Sequence, residues 1–266
     1  MSWRALAASL LCVVALTACV SSPERLQSAD RASAQAEPLR QRAMRRLALA
    51  SAYYEQGLNE VALQEARTAA SIDPTFAQAP SLLGLIYQRD NAPELAEHSF
   101  RQAMDLAQAD PAELASVQHN FGWFLCSQNR FDEGQTQLER AVSQPGYRGA
   151  AKTWTVLGLC QQRAQLTEQA RTSYQQALQN DPRNTWVRVQ LAELMWQSGH
   201  PELAQQWLAP ALSGPDASAA SLWLGVRLAQ EQAKSVTRQQ LAEQLIHRFP
   251  DSPQAQACRE QPFDRP

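Results

Sequence analysis

Small and apolar residues return along this chain at intervals close to 34 residues, and that period constrains the fold more than any other feature. Leu49, Leu83, Phe121, Leu157, Leu191 and Leu224 are separated by 34, 38, 36, 34 and 33 residues. Ala62, Ala96, Gly134, Ala170 and Ala204 follow the first five, and Ala69, Ala103, Ala141, Ala177 and Ala211 follow those. Between them Ala, Leu, Gln, Glu and Arg dominate, with 10 glycines in 266 residues, so each period reads as helix. Self-similarity at such a period predicts one supersecondary unit stacked on copies of itself, growing in one dimension.

These residue types at this period resemble the tetratricopeptide repeat, a pair of antiparallel helices. The resemblance implies an all-α solenoid of about six helix pairs, a right-handed superhelix with a concave groove. The array is expected over residues 38–266, with repeats near 43–76, 77–112, 115–148, 151–184, 185–218 and 218–250. Asp73-Pro74, Asp110-Pro111 and Asp181-Pro182 read as stops, because proline donates no hydrogen bond and clashes with the preceding turn. Gly84, Gly122, Gly158 and Gly225, each after a periodic Leu or Phe, read as places where two helices approach closely. The sixth unit loses its alanines, as expected of a repeat that caps an array.

The first residues do not belong to that pattern. Arg4 gives a positive start, and Leu6 to Leu16 forms an apolar run too short to span a membrane. It ends in Leu16-Thr17-Ala18-Cys19, which resembles the bacterial lipobox. Residues 1–18 are therefore expected to be a lipoprotein signal peptide, cut before Cys19, the expected site of lipidation. Apart from that covalent lipid (diacylglycerol and an amine-linked acyl chain such as palmitate), no cofactor is expected. Val20 and Ser21 follow in place of the aspartate that marks inner-membrane retention, so the expected location is the outer membrane, facing the periplasm. Residues 19–37, rich in Ser, Ala, Gln and charge, read as a flexible tether.

In the fold this chain resembles, the first helix of each pair lines the groove. That rule puts Leu47, Tyr54, Leu85, Trp123, Leu159, Trp186, Val189, Trp196 and Leu222 in or beside it. The set is apolar, and an exposed apolar patch rimmed by polar groups marks a partner site. Packing between helices is the competing reading for each. Lys152, Arg163, Arg89, Glu193 and His119 are the polar candidates, with a solvated helix face as their alternative.

Catalytic chemistry finds little support. His98, His119, His200 and His247 fall in separate repeats without ligand spacing, and no CxxC, GxSxG or phosphate-cradling loop appears. No enzyme, metal site or small-molecule substrate is expected. A net charge of −2 without any basic run argues against nucleic acid. Beyond Cys19, the chain carries Cys126, Cys160 and Cys258. Cys126 and Cys160 occupy corresponding places in consecutive repeats, so an oxidising compartment would join them. Two separately buried thiols are the alternative.

Taken together, the chain resembles the type IV pilus biogenesis and stability lipoproteins, the pilotins of the pilus secretin. Three stretches carry the likeness: Asn120-Phe121-Gly122-Trp123-Phe124-Leu125-Cys126, Leu222 to Ala229 (LWLGVRLA), and Leu245 to Ser252 (LIHRFPDS) followed by Gln254 and Gln256. The resemblance implies a partner, the secretin subunit, escorted to the outer membrane and helped to multimerise. A repeat lipoprotein that docks cell-wall remodelling enzymes would share the lipobox and the repeats but not these stretches.

Overall fold

The computed structural model describes residues 23–212 and 217–260, the first of them, 23–37, as backbone alone. The leader, the Leu16–Cys19 motif and Cys19 itself lie outside these residues. Thirteen α-helices and one 3-10 turn, Ala107–Ala109, account for the described chain, and no strand occurs among the described residues. None of these helices is long and apolar enough to cross a membrane. The chain divides into two compact units, Met1–Phe76 and Ala77–Pro266.

The first unit holds α1 (Pro23–Glu55) and α2 (Asn59–Ile72), packed on one another. The backbone is thus helical over most of the stretch read from sequence as a tether, consistent with its content of Ala, Gln, Glu and Arg. Ala43, Leu47 and Ala50 form the buried stripe of α1, and Ala62, Ala66 and Ala69 that of α2. Leu49, expected among the periodic core residues, is exposed. In later pairs the corresponding residue packs on the second helix of the pair before, as Phe121 does on Ala96 and Phe100. No such helix precedes α1 among the described residues. Asp73 closes the unit: Oδ1 accepts from Thr75 N and Oγ1, and Oδ2 accepts from Arg40 Nε at 2.6 Å. Burial pushes this carboxyl up, but the hydrogen bonds from Thr75 and Arg40 outweigh it and hold the pKa below the usual carboxylate value.

The second unit stacks five further pairs: α3 (Gln78–Arg89) with α4 (Pro93–Leu106), α5 (Pro111–Ser127) with α6 (Phe131–Ser143), α7 (Ala150–Arg163) with α8 (Thr167–Asn180), α9 (Thr185–Gln197) with α10 (Pro201–Leu212), and α11 (Ala219–Glu231) with α12 (Ser235–Arg248). A last helix, α13 (Pro253–Glu260), packs on α11 and α12 and buries Ala255 and Cys258 in their cluster. The sequence reading missed α13; its local signals were Ser252, whose Oγ accepts from Ala255 N at 3.1 Å, and Pro253 at its first position. Pro111 was read as a stop, yet it opens α5. Asp110 Oδ1 accepts from Ala112 N and Glu113 N, and proline is tolerated in a first turn that has no N–H partner to lose.

Inside each pair the small residues do what their spacing suggested. A Cβ on Gly84 would meet the Phe100 ring at 2.7 Å, and one on Gly158 the Tyr174 ring at 2.7 Å. The turns between paired helices share one backbone device. Gly57, Asn91, Asn129, Gln165, Gly199 and Ala233 all take positive φ, between 54° and 79°. In each turn the next residue's N–H reaches back five residues (Leu58 to Tyr53, Leu166 to Gln161, Lys234 to Ala229), as in a Schellman cap.

Candidate functional site

The first helices α3, α5, α7, α9 and α11 present the face where partner-binding residues were expected. Between them run polar bridges that no sequence pattern disclosed. Asn120 Nδ2 donates to Ser81 Oγ at 3.0 Å and Gln88 Nε2 to Ser127 Oγ at 3.0 Å, joining α3 to α5. Thr153 Oγ1 lies 2.8 Å from His119 Nδ1 and 2.9 Å from Tyr147 Oη, joining α5 to α7. Tyr147 donating to Thr153, and Thr153 to Nδ1 of a neutral imidazole, gives each hydroxyl an acceptor. His119 is held neutral chiefly by burial and secondarily by the Lys152 charge, which bring its pKa down to about 4. It is therefore an inter-helix residue on the flank of α5 facing α7, and its groove candidacy falls away. His98 and His247 are exposed on α4 and α12, and His200 is exposed in the turn before α10.

Cys126 and Cys160 join the same two helices covalently. Both are fully buried beside Leu138 and Leu157, and their Cα atoms stand 5.6 Å apart with the sulfurs bonded. Cys258 is a free, buried thiol, its pKa raised by burial. On the outer side Arg130 binds Glu97 Oε2 at 2.7 Å and Glu133 Oε2 at 2.7 Å, and Arg101 also reaches Glu97. The Arg130 hydrogen bond is the main reason that Glu97 stays below the usual glutamate value.

The expected apolar residues fall into three groups. Leu47, Val189 and Leu222 are 8, 5 and 0% exposed; they are core residues, out of a partner's reach, because their positions turn inward between paired helices. Tyr54 in the first unit, and Leu85, Trp123, Leu159 and Trp196 in the second, are half-buried. Trp196 is already engaged: the Arg227 guanidinium lies 4.3 Å over its ring and its Nε1 donates to the Glu231 carboxylate, tying α9 to α11. Trp186, 48% exposed near the start of α9, is the large aromatic left open. Of the polar candidates, Lys152, Arg163 and Arg89 are exposed and Glu193 is half-buried. Arg163 donates to Asn129 Oδ1 at 3.2 Å, so its head is committed to a neighbouring turn. The hydroxyl and imidazole that meet here, Thr153 and His119, are both buried. The exposed face offers an indole, a cation and a set of half-buried apolar side chains, which is recognition chemistry.

Comparison with known proteins places these features in context. The tetratricopeptide-repeat family pattern matches residues 163–222. The type IV pilus assembly protein PilF of Pseudomonas aeruginosa is 28% identical over 200 residues, covering 75% of this chain and 78% of that protein. An uncharacterized protein of Haemophilus influenzae is 31% identical over 134 residues, 50% of this chain and 70% of that protein. Among solved structures, Pseudomonas aeruginosa PilF superposes with a TM-score of 0.67 at 26% identity, covering 85% of this chain and 98% of that one. The crystal structure of PilW, a widely conserved type IV pilus biogenesis factor, gives 0.69 at 24% identity over 82% of this chain and 98% of that one, a likeness of fold.

Proposed function

We propose, for a chain that belongs to the tetratricopeptide-repeat proteins and is homologous to PilF, a role in type IV pilus biogenesis as the pilotin of the secretin. In this reading it is an outer-membrane lipoprotein that binds the secretin subunit, brings it to that membrane and promotes its multimerisation. The observation that carries the reading is the likeness to PilF across three quarters of the chain. Physical chemistry supports the division of labour. A secretin subunit crosses the periplasm with apolar, barrel-forming strands unpaired, a state prone to aggregate. A repeat array holds an extended or helical segment against alternate side-chain pockets. Acylation at Cys19 would fix the carrier to one leaflet, since more than one chain is needed for stable anchoring.

Deleting the gene tests the proposal. Heat- and detergent-resistant secretin multimers should fall sharply and piliation with them, both restored by the gene in trans. Unchanged multimers in the deletion strain would overturn the reading.

A further inference from the structure

α1 breaks a rule that later first helices keep. Four residues before the periodic Leu83, Phe121, Leu157 and Leu191 stand Ala79, Val117, Thr153 and Val187, and all four are completely buried. The residue at that place before Leu49 is Arg45, and it is exposed. Seven residues before Phe121 is Leu114, which packs with Val117 against Ala103 and Ala107 of the preceding pair. Seven before Leu49 is Arg42, also exposed. The face by which a first helix meets an earlier repeat thus carries two arginines in α1. The end of an array needs only to be soluble, and uncharged polar residues or a mixture of both charges would serve. This end has one sign.

From Pro38 to Tyr54 the helix holds Arg40, Arg42, Arg45 and Arg46 and no acid. Arg40 binds Asp73, and Arg46 binds Glu65 Oε2 at 2.9 Å, so both serve the packing of α2 and the turn after it. Arg42 and Arg45 make no hydrogen bond or ion pair among the described residues. Arg42, Arg45, Leu49 and Ala52 follow one another at i, i+3, i+7 and i+10, which is one face of a helix, and all four are exposed. Leu39 and Met44, exposed as well, lie to either side of that face.

What covers such a face follows from its charge and from where α1 begins. The helix starts at Pro23, four residues beyond Cys19, and four residues of chain span at most about 14 Å. Its helical backbone then runs on into the first pair. Pro38, which removes one helical hydrogen bond, is where bending costs least, and it lies about one turn before Arg42. We infer that this face of α1 rests on the anionic lipid surface that holds the anchor, with Arg42 and Arg45 against headgroup phosphates and Leu49 at the acyl boundary. The inference rests on the acylation of Cys19 proposed above. Each arginine near such a surface adds about fivefold to its occupancy. That is too little to hold a protein arriving from solution, and enough to orient one already tethered, for which the local lipid concentration is high. A neutral surface gives the arginines nothing.

Spin labels on the chain purified from membranes and reconstituted in vesicles test this, after its intact mass has been read for acyl groups. The label is placed at Ala52→Cys or, on the side of α2 turned away from α1, at Gln64→Cys, each with Cys258→Ala. In phosphatidylglycerol vesicles the label at 52 should meet lipid-dissolved oxygen more often than a water-borne nickel chelate, and the label at 64 the reverse. In phosphatidylcholine vesicles both should report water. Arg42→Gln with Arg45→Gln should lower the ratio of lipid-bound to free label at 52 about 25-fold in phosphatidylglycerol, while Arg42→Lys with Arg45→Lys retains it. Both arginines are exposed, so the urea midpoint should not move. A label at 52 that reports water in phosphatidylglycerol would overturn the inference and leave the proposed function standing. A label that reports lipid equally in both vesicles, whatever stands at 42 and 45, would overturn it too. So would immobilisation of 52 only on adding the purified secretin periplasmic domain, which would give the face to a protein. A chain without acyl groups would overturn the anchor and this inference together.

Discussion

At Gly158 two opposing effects can be weighed. Alanine would gain up to about 1 kcal/mol of helix propensity over glycine. Its Cβ would also stand 2.7 Å from two ring carbons of Tyr174, a fully buried ring whose hydroxyl donates to Gln162 Oε1 at 2.8 Å. That ring cannot swing away without breaking its hydrogen bond, so the overpacking cost of roughly 1–3 kcal/mol should win. Gly158→Ala is expected to lower the urea midpoint, and Tyr174→Leu in the same chain to relieve part of the loss. His119 gives a second residue-scale expectation. Its folded pKa, about 4, lies below the unfolded value near 6.5, so the unfolded chain binds the extra proton first. The stability it contributes is complete above pH 6.5, shrinks as pH falls, and levels off near pH 4. The loss should reach about 2 kcal/mol by pH 5, read as a falling urea midpoint that His119→Asn flattens over the same range. The Gly158 contact was legible because a glycine after a periodic leucine implies a close neighbour. The role of His119 was not, because its partner lies 34 residues away and only packing reveals it.

The hairpin turns show the same division at the scale of elements. Gly57 and Gly199 announce a left-handed residue in the sequence, whereas Gln165 and Ala233 occupy the equivalent place without any signal of type. Left-handed backbone costs an alanine about 1–2 kcal/mol, more than glycine forfeits in chain entropy. Ala233→Gly should therefore raise the melting temperature, by an amount corresponding to roughly 0.5–1 kcal/mol. A drop would show that the turn is not strained. The bridge between α5 and α7 is the other element-scale test. Replacing Cys126 and Cys160 by alanine should cost about 3–4 kcal/mol, for a closed loop of this length. Peptide mapping without reductant should recover the two cysteines joined; free thiols at both positions in protein taken from the periplasm would remove the idea. The repeat fold was legible in the period, but α13 was not, since it follows no repeat and is defined by packing on α11 and α12. The apolar face was over-read for a related reason: Val189 and Leu222 share the composition of Trp186, and only burial separates core from surface.

For the whole molecule, the anchor and the array should be separable. Cys19→Ser should leave helicity and melting unchanged while the protein leaves the outer-membrane fraction, and secretin multimers should then collect elsewhere. An unchanged fractionation pattern would contradict the lipobox reading. The disulfide also carries information about time. Cys126 and Cys160 sit on first helices of successive pairs, both sealed from solvent, and in the fold their sulfurs are joined where those pairs stack. Oxidant must therefore act before the seam around them closes, or as it closes. If the chain is exported as proposed, the bond records when the third repeat docked on the fourth: a chain that folded earlier, among reductants, would carry two thiols in the same place.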